Sequence, residues 1–187
     1  MSTCIALLRG INVGRAKRVA MADLRALVAG LGYADVRTLL NSGNVVFRAP
    51  GGQPAAAAAK AAARIEAALA AELGLTARVT GLGADELAAI VAAEPFGALA
   101  ADPSRYLVAV FRERGGAARL AGLVGRDWAP GALAVGARAA YLWCPDGILE
   151  SPLLAAMGRA LGDGLTTRNW TTITKLHALA GAGKDTP

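Results

Sequence analysis

The chain has 187 residues, is 55% hydrophobic but only 5% aromatic, and carries a formal net charge of +6, with sixteen of its twenty basic residues arginine. That length fits one domain or two small, closely packed ones that bury roughly 70% of the unfolded surface, with Leu, Val and Ile filling a core whose apolar excess is alanine. No apolar run nears the roughly 18 residues of a membrane helix, and one histidine with two cysteines cannot assemble a thiol and imidazole zinc set.

Ser2 aside, the chain starts apolar. Thr3 to Arg9 reads as a first strand, and its run Cys4 to Leu8 is shorter than a signal-peptide core of about 7 residues, with the charges after it. Cys4 and Cys144 both lie in strand-like apolar contexts, so buried, reduced thiols in a cytoplasmic protein are expected. The strand empties into Arg9, Gly10, Asn12 and Gly14, where glycine permits backbone angles and close approaches that other residues resist. The spacing of Met21, Leu24, Leu27, Val28 and Leu31 then fits one face of a helix ending at Gly32.

A hairpin follows, Val36 to Leu40 and Val45 to Phe47, about the turn Asn41-Ser42-Gly43-Asn44. Ala55 to Leu73 reads as a helix with Ile65, Leu69 and Leu73 along one side, Thr76 to Thr80 as a fourth strand, and Asp85 to Glu94 as a connecting helix. The order β-α-β-β-α-β is that of a ferredoxin-like unit. It returns as a strand at Tyr106 to Phe111, a helix at Ala117 to Val124, a hairpin of Leu133 to Val135 and Ala139 to Trp143, and a helix at Pro152 to Leu161. A last helix spans about Asn169 to Ala180, with Trp170, Ile173, Leu176 and His177 inward. The predicted fold class is α+β, with two ferredoxin-like halves (1–80 and 104–187) packed together, a connecting helix and linker (81–103), and a C-terminal helix.

Catalytic signatures are missing. Ser42 lies outside a nucleophile elbow, His177 reads as a half-buried packing residue, and the glycines at 10 and 14 match neither nucleotide-binding fingerprint. No cofactor, metal or membrane partner is called for, and no acid and base pair can be nominated among the scattered carboxylates. The arginine-rich balance suits an acidic ligand. It equally describes a solvated basic surface, since no basic run exceeds the segment Arg15 to Arg18. The densest polar run, Thr166 to Thr172, either caps the last helix and anchors it through a largely buried Trp170, or receives an anion at the helix start through Arg168 and open amides.

The segments LLRGINVG (7–14), MADLRALVAGLGYADVRTLLNSGNVVF (21–47) and TTRNWTTITKL (166–176) together resemble the bacterial family known as domain of unknown function 1697. The resemblance implies an α+β fold of ferredoxin-like halves, and no activity. It singles out Arg9, Gly10, Asn12, Val13 and Gly14, then Ser42, Gly43 and Asn44, then Thr167, Arg168, Asn169 and Trp170. This chain departs at Arg15, where members usually have glycine, at Ala20, where they often have proline, and at Pro152, where a lysine tends to follow Ser151.

The sequence thus points to an uncharacterised cytoplasmic binding or regulatory module for a small anionic or phosphate-bearing ligand, bound by Arg9, Gly10, Asn12, Gly14, Ser42, Asn44, Thr167, Arg168 and Asn169. One alternative is an enzyme acting on a small anionic substrate, with Arg9 and Arg168 as electrostatic clamps and no identifiable nucleophile. Another is a nucleic-acid-binding protein, although the strands lack the aromatic pair on which bases would stack. Whether a reaction is catalysed, and the oligomeric state, are left open.

Overall fold

The computed structural model describes residues 1–12, 18–100 and 102–182. The chain divides into two compact units, Met1–Ala88 with Leu176–Pro187, and Ala89–Lys175. In the first unit, β1 (Ser2–Arg9), α1 (Met21–Gly30), β2 (Ala34–Leu39), β3 (Asn44–Ala49), α2 (Pro54–Leu73) and β4 (Arg78–Gly83) run in the predicted order. The strands form an antiparallel sheet in the order β2-β3-β1-β4. α3 (Ala84–Ala92) follows β4 without a break.

The centre of this sheet is β1, paired with β3 on one side and β4 on the other. Cys4 to Leu8 are all buried, which is why the strand reads as a continuous apolar run instead of alternating. Cys4, Ala6 and Leu8 pack with Leu24, Leu27 and Val28 of α1 and with Ile65 and Leu69 of α2. Ile5 and Leu7 project from the opposite face and are equally buried.

The alanines of α2 do more than favour helix. Ala58, Ala61, Ala62 and Ala68 line its buried face, and their small size lets β4 come against the helix backbone. At Gly81 any Cβ would be driven into the carbonyl of Ala58. α2 begins with Pro54 in its first turn and ends at Gly74, whose φ of 60° forms a left-handed cap.

In the second unit, β5 (Tyr106–Phe111), β6 (Ala132–Val135), β7 (Ala139–Trp143) and β8 (Leu165–Asn169) form an antiparallel sheet in the order β6-β7-β5-β8. α4 (Pro152–Leu161) packs Leu153, Met157 and Leu161 against Leu107, Phe111 and Leu142. Ser151 caps it, its Oγ accepting from the Leu154 amide at 3.3 Å. α5 (Trp170–Gly181) closes the described chain.

Two expectations are corrected here. The helix expected over Ala117 to Val124 is only a 3₁₀ turn, Gly116–Leu120, because Gly115 enters it at φ 93° and Gly122 and Gly125 withhold helix propensity from the next turn. The polar run expected to open the last helix is strand β8, hydrogen-bonded to β5 from Leu165 opposite Phe111 to Asn169 opposite Leu107. The second unit therefore also has four strands, and the repeat is more complete than the sequence suggested. β4 runs Arg78–Gly83 against an expected Thr76 to Thr80, and α3 stops at Ala92, short of Glu94.

Close approach of α2 to β4 makes Gly81 a sensitive position. Gly81→Ala is expected to destabilise the protein by about 1–3 kcal/mol through overpacking, measured by urea denaturation; an unchanged midpoint would contradict the backbone contact.

Candidate functional site

The residues that the sequence singled out fall in both units. In the first unit, β1 ends with Arg9 opposite Arg78 of β4. Gly10 then turns the chain at φ 71°, and nothing lies where its Cβ would be, so its backbone angle alone requires glycine. Asn12 also has positive φ, 55°, a conformation that asparagine tolerates better than most residues.

The Asn12 side chain is fully engaged. Nδ2 donates to the carbonyls of Val19 at 3.1 Å and Asn41 at 2.6 Å, and Oδ1 accepts from the Val19 amide at 2.8 Å. One carboxamide therefore ties both ends of the loop together and fastens them to the β2–β3 turn. Asn44 is buried, and its Nδ2 donates to the Leu39 carbonyl at 2.8 Å and to Ser42 Oγ at 2.9 Å. Between them Gly43, at φ 76°, would set a Cβ 2.6 Å from Ile11 Cδ1, and its carbonyl accepts from the Leu8 amide at 2.8 Å. Gly14, with Val13 and Arg15, lies outside the described residues.

Beside this brace lies a cleft of about 470 Å³ lined by Asn12, Arg18, Val19, Ala20, Met21 and Asn41. It opens at the start of α1, where the N-cap position is Ala20, which has no side chain to accept from the first-turn amides. Exposed Arg18 stands at its rim. Sequence reasoning passed over Arg18 as part of a short basic segment; an alanine in the cap position, directly after an arginine, was the signal that could have marked it.

In the second unit, Thr167, Arg168 and Asn169 lie on β8. Arg168 stands opposite Val108, on the sheet face away from α4, and its Nη1 donates to the Thr167 carbonyl at 2.8 Å. Burial pulls its guanidinium pKa down to about 10, the mark of a charge held out of water. Asn169 caps α5, accepting from the Thr172 amide at 2.9 Å. Arg168 is thus two residues before the helix, on a strand, and the helix start it was expected to serve is already capped by Asn169.

Trp170 is half-buried, less than expected, and stacks on Tyr106 with ring centroids 5.1 Å apart and planes 14° from parallel. Tyr106 in turn donates to Glu94 Oε1 at 2.9 Å. Burial pushes the Glu94 carboxyl up, but donation from the amides of Phe96 and Gly97 and from Tyr106 outweighs it and holds the carboxyl below its usual range. The aromatic pair and its carboxylate form a packing assembly within the second unit.

Neither cysteine sits in an environment that activates a thiol. Both are buried and unpaired. Burial raises Cys4 to about 11 and lifts Cys144 as well, although the Ser151 hydroxyl 3.3 Å away, able to donate to the thiolate, works against the rise.

The family model described as "Protein of unknown function (DUF1697)" matches residues 1–141, three quarters of the chain. The chain belongs to the DUF1697 family. A comparison with curated proteins finds no match. Among solved structures, this DUF1697 chain is similar to a conserved bacterial protein from Streptococcus pneumoniae, with a TM-score of 0.77 at 20% identity, over 97% of this chain and 99% of the other. At that identity the likeness establishes the fold alone. Among the described residues, no helix is long and apolar enough to cross a membrane.

Two outcomes are expected. Asn12→Ala, which removes three hydrogen bonds to backbone, should cost about 2–4 kcal/mol in thermal or urea unfolding; a neutral substitution would contradict the bracing role. Because Cys4 is raised in the folded state, its contribution to stability is complete below the unfolded thiol value near 9 and is lost as pH rises toward about 11. Cys4→Ala should flatten that alkaline decline, measured as urea midpoints across the range, and an equally steep decline would contradict it.

Proposed function

We propose that this DUF1697 protein is a cytoplasmic binding or regulatory module for a small anionic or phosphate-bearing ligand, taken by the first unit at the loop that follows β1. The observation that carries this reading is the cleft at the start of α1, where a helix with no side-chain cap lies beside Arg18. Open first-turn N–H groups and the positive end of the helix dipole favour an oxyanion. Arg18 adds a full charge with forked geometry.

On this reading the predicted residues divide by role. Gly10, Asn12, Ser42 and Asn44 shape the cleft wall by holding the loop and hairpin, and Arg9 closes the strand beneath them. Contact with the ligand falls to α1 amides and Arg18. Asp23, in the first turn of α1, already complements part of the dipole, so the ligand must bring more than one oxyanion oxygen to compete. Thr167, Arg168 and Asn169 serve the second unit's own sheet and helix.

Inorganic pyrophosphate titrated into ¹⁵N-labelled protein should shift the amides of residues 20–23, and Arg18→Ala should weaken that binding about tenfold while leaving the melting temperature within a degree or two. Amides of α1 that stay unmoved at saturating pyrophosphate would overturn the reading.

A further inference from the structure

A second and larger hollow, about 610 Å³, lies on the first unit's sheet, where β2 meets β3. Its lining includes Thr3, Asp35, Val36, Arg37, Val46 and Arg48. The volume lies within the range of small-molecule sites. Two features meet there, a bulge and an unpaired donor. The β2–β3 register slips between Ala34 and Arg37, a bulge that re-aims the side chains of one strand. Within it Asp35 has φ 51°, a left-handed angle that aspartate tolerates and that forms part of the bulge.

The second feature is Arg37. Its Nε is buried and finds no hydrogen-bond partner among the described residues, a costly state for a donor on a charged group. The other charges in the lining are already matched, since Arg48 Nη1 lies 3.5 Å from Asp35 Oδ2. Two guanidinium groups against one carboxylate leave a single positive charge. On the same sheet face Val46 supplies apolar surface and Thr3 a hydroxyl, while Val36 packs into the core beneath α1 and α2.

We propose that this hollow is a binding site for a small organic monocarboxylate, whose carboxylate accepts from the Arg37 guanidinium beside Val46, its neighbour on the same sheet face. A guanidinium fork matches a carboxylate in plane, and one unmatched positive charge suits a monoanion better than a dianionic phosphate monoester. The orphan donor is a feature that a carboxylate acceptor relieves, and that a purely structural arginine would not require. This site is separate from the cleft at α1 and does not rest on ligand binding there.

The test uses the full chain with selectively observed arginine side-chain ¹⁵Nε resonances, and sodium benzoate as the probe. Benzoate should shift the Arg37 Nε–H and raise the melting temperature, whereas isosteric benzyl alcohol should do neither. Arg37→Met should weaken benzoate binding about ten- to a hundredfold, while the unliganded variant melts at least as high as the parent, because an unsatisfied buried donor has been removed. Arg37→Lys, which keeps the charge without the fork, should bind at an intermediate level. The proposal is overturned if benzyl alcohol acts as strongly as benzoate, if phenyl phosphate binds more tightly than benzoate, or if Arg37→Met melts early and benzoate leaves Arg37 unmoved. An intact pyrophosphate response at α1 in Arg37→Met, or its loss in Arg18→Ala with benzoate binding retained, separates failure of one site from failure of the other.

Discussion

The first unit depends on a central strand that is paired on both edges and covered on both faces. β1 has no solvent-facing side from Cys4 to Leu8, so its polar backbone groups must all find partners within the protein. The chain must then leave this dry environment sharply. Gly10 supplies the turn, and Asn12, bonded to Val19 and Asn41, substitutes a carboxamide for the backbone partners that an irregular loop lacks. Gly43 lets the β2–β3 turn sit against Leu8 and Ile11. The motif that looks most like a ligand loop is thus what a buried central strand requires at its exit.

Much of the fold was legible because its signals are local. The hairpin turn at residues 41–44, the amphipathic spacing of α1 and the span of α4 each follow from residue chemistry within a few positions. The strand β8 was not legible, since Thr166, Thr167, Arg168 and Asn169 alternate without an apolar face and acquire strand structure only by pairing with β5. The 3₁₀ turn at Gly116–Leu120 was misread for the opposite reason: Leu120 and Leu123 have helical spacing, but the glycines around them decide the backbone.

The site was less legible than the fold. Asparagine offers donors and an acceptor in any setting, and sequence cannot distinguish an amide aimed at a ligand from one aimed at its own backbone. Asn12 and Asn44 prove to be of the second kind. Arg37 illustrates the reverse. In sequence it is one arginine among sixteen, and its meaning comes from a bulge and a buried Nε that no spacing rule anticipates. In this fold the polar groups with internal partners define the shape, and the proposed carboxylate site rests on a buried Arg37 Nε that finds no partner among the described residues.

Side-chain hydrogen exchange would resolve this division between bracing asparagines and ligand-facing arginines. The Nδ2 protons of Asn12 and Asn44 should exchange slowly, and their resonances should stay in place when pyrophosphate and benzoate are both added, while the Arg18 and Arg37 Nε–H resonances move. Fast-exchanging Asn12 and Asn44 carboxamides that shift with either ligand, beside unmoved arginines, would contradict the account.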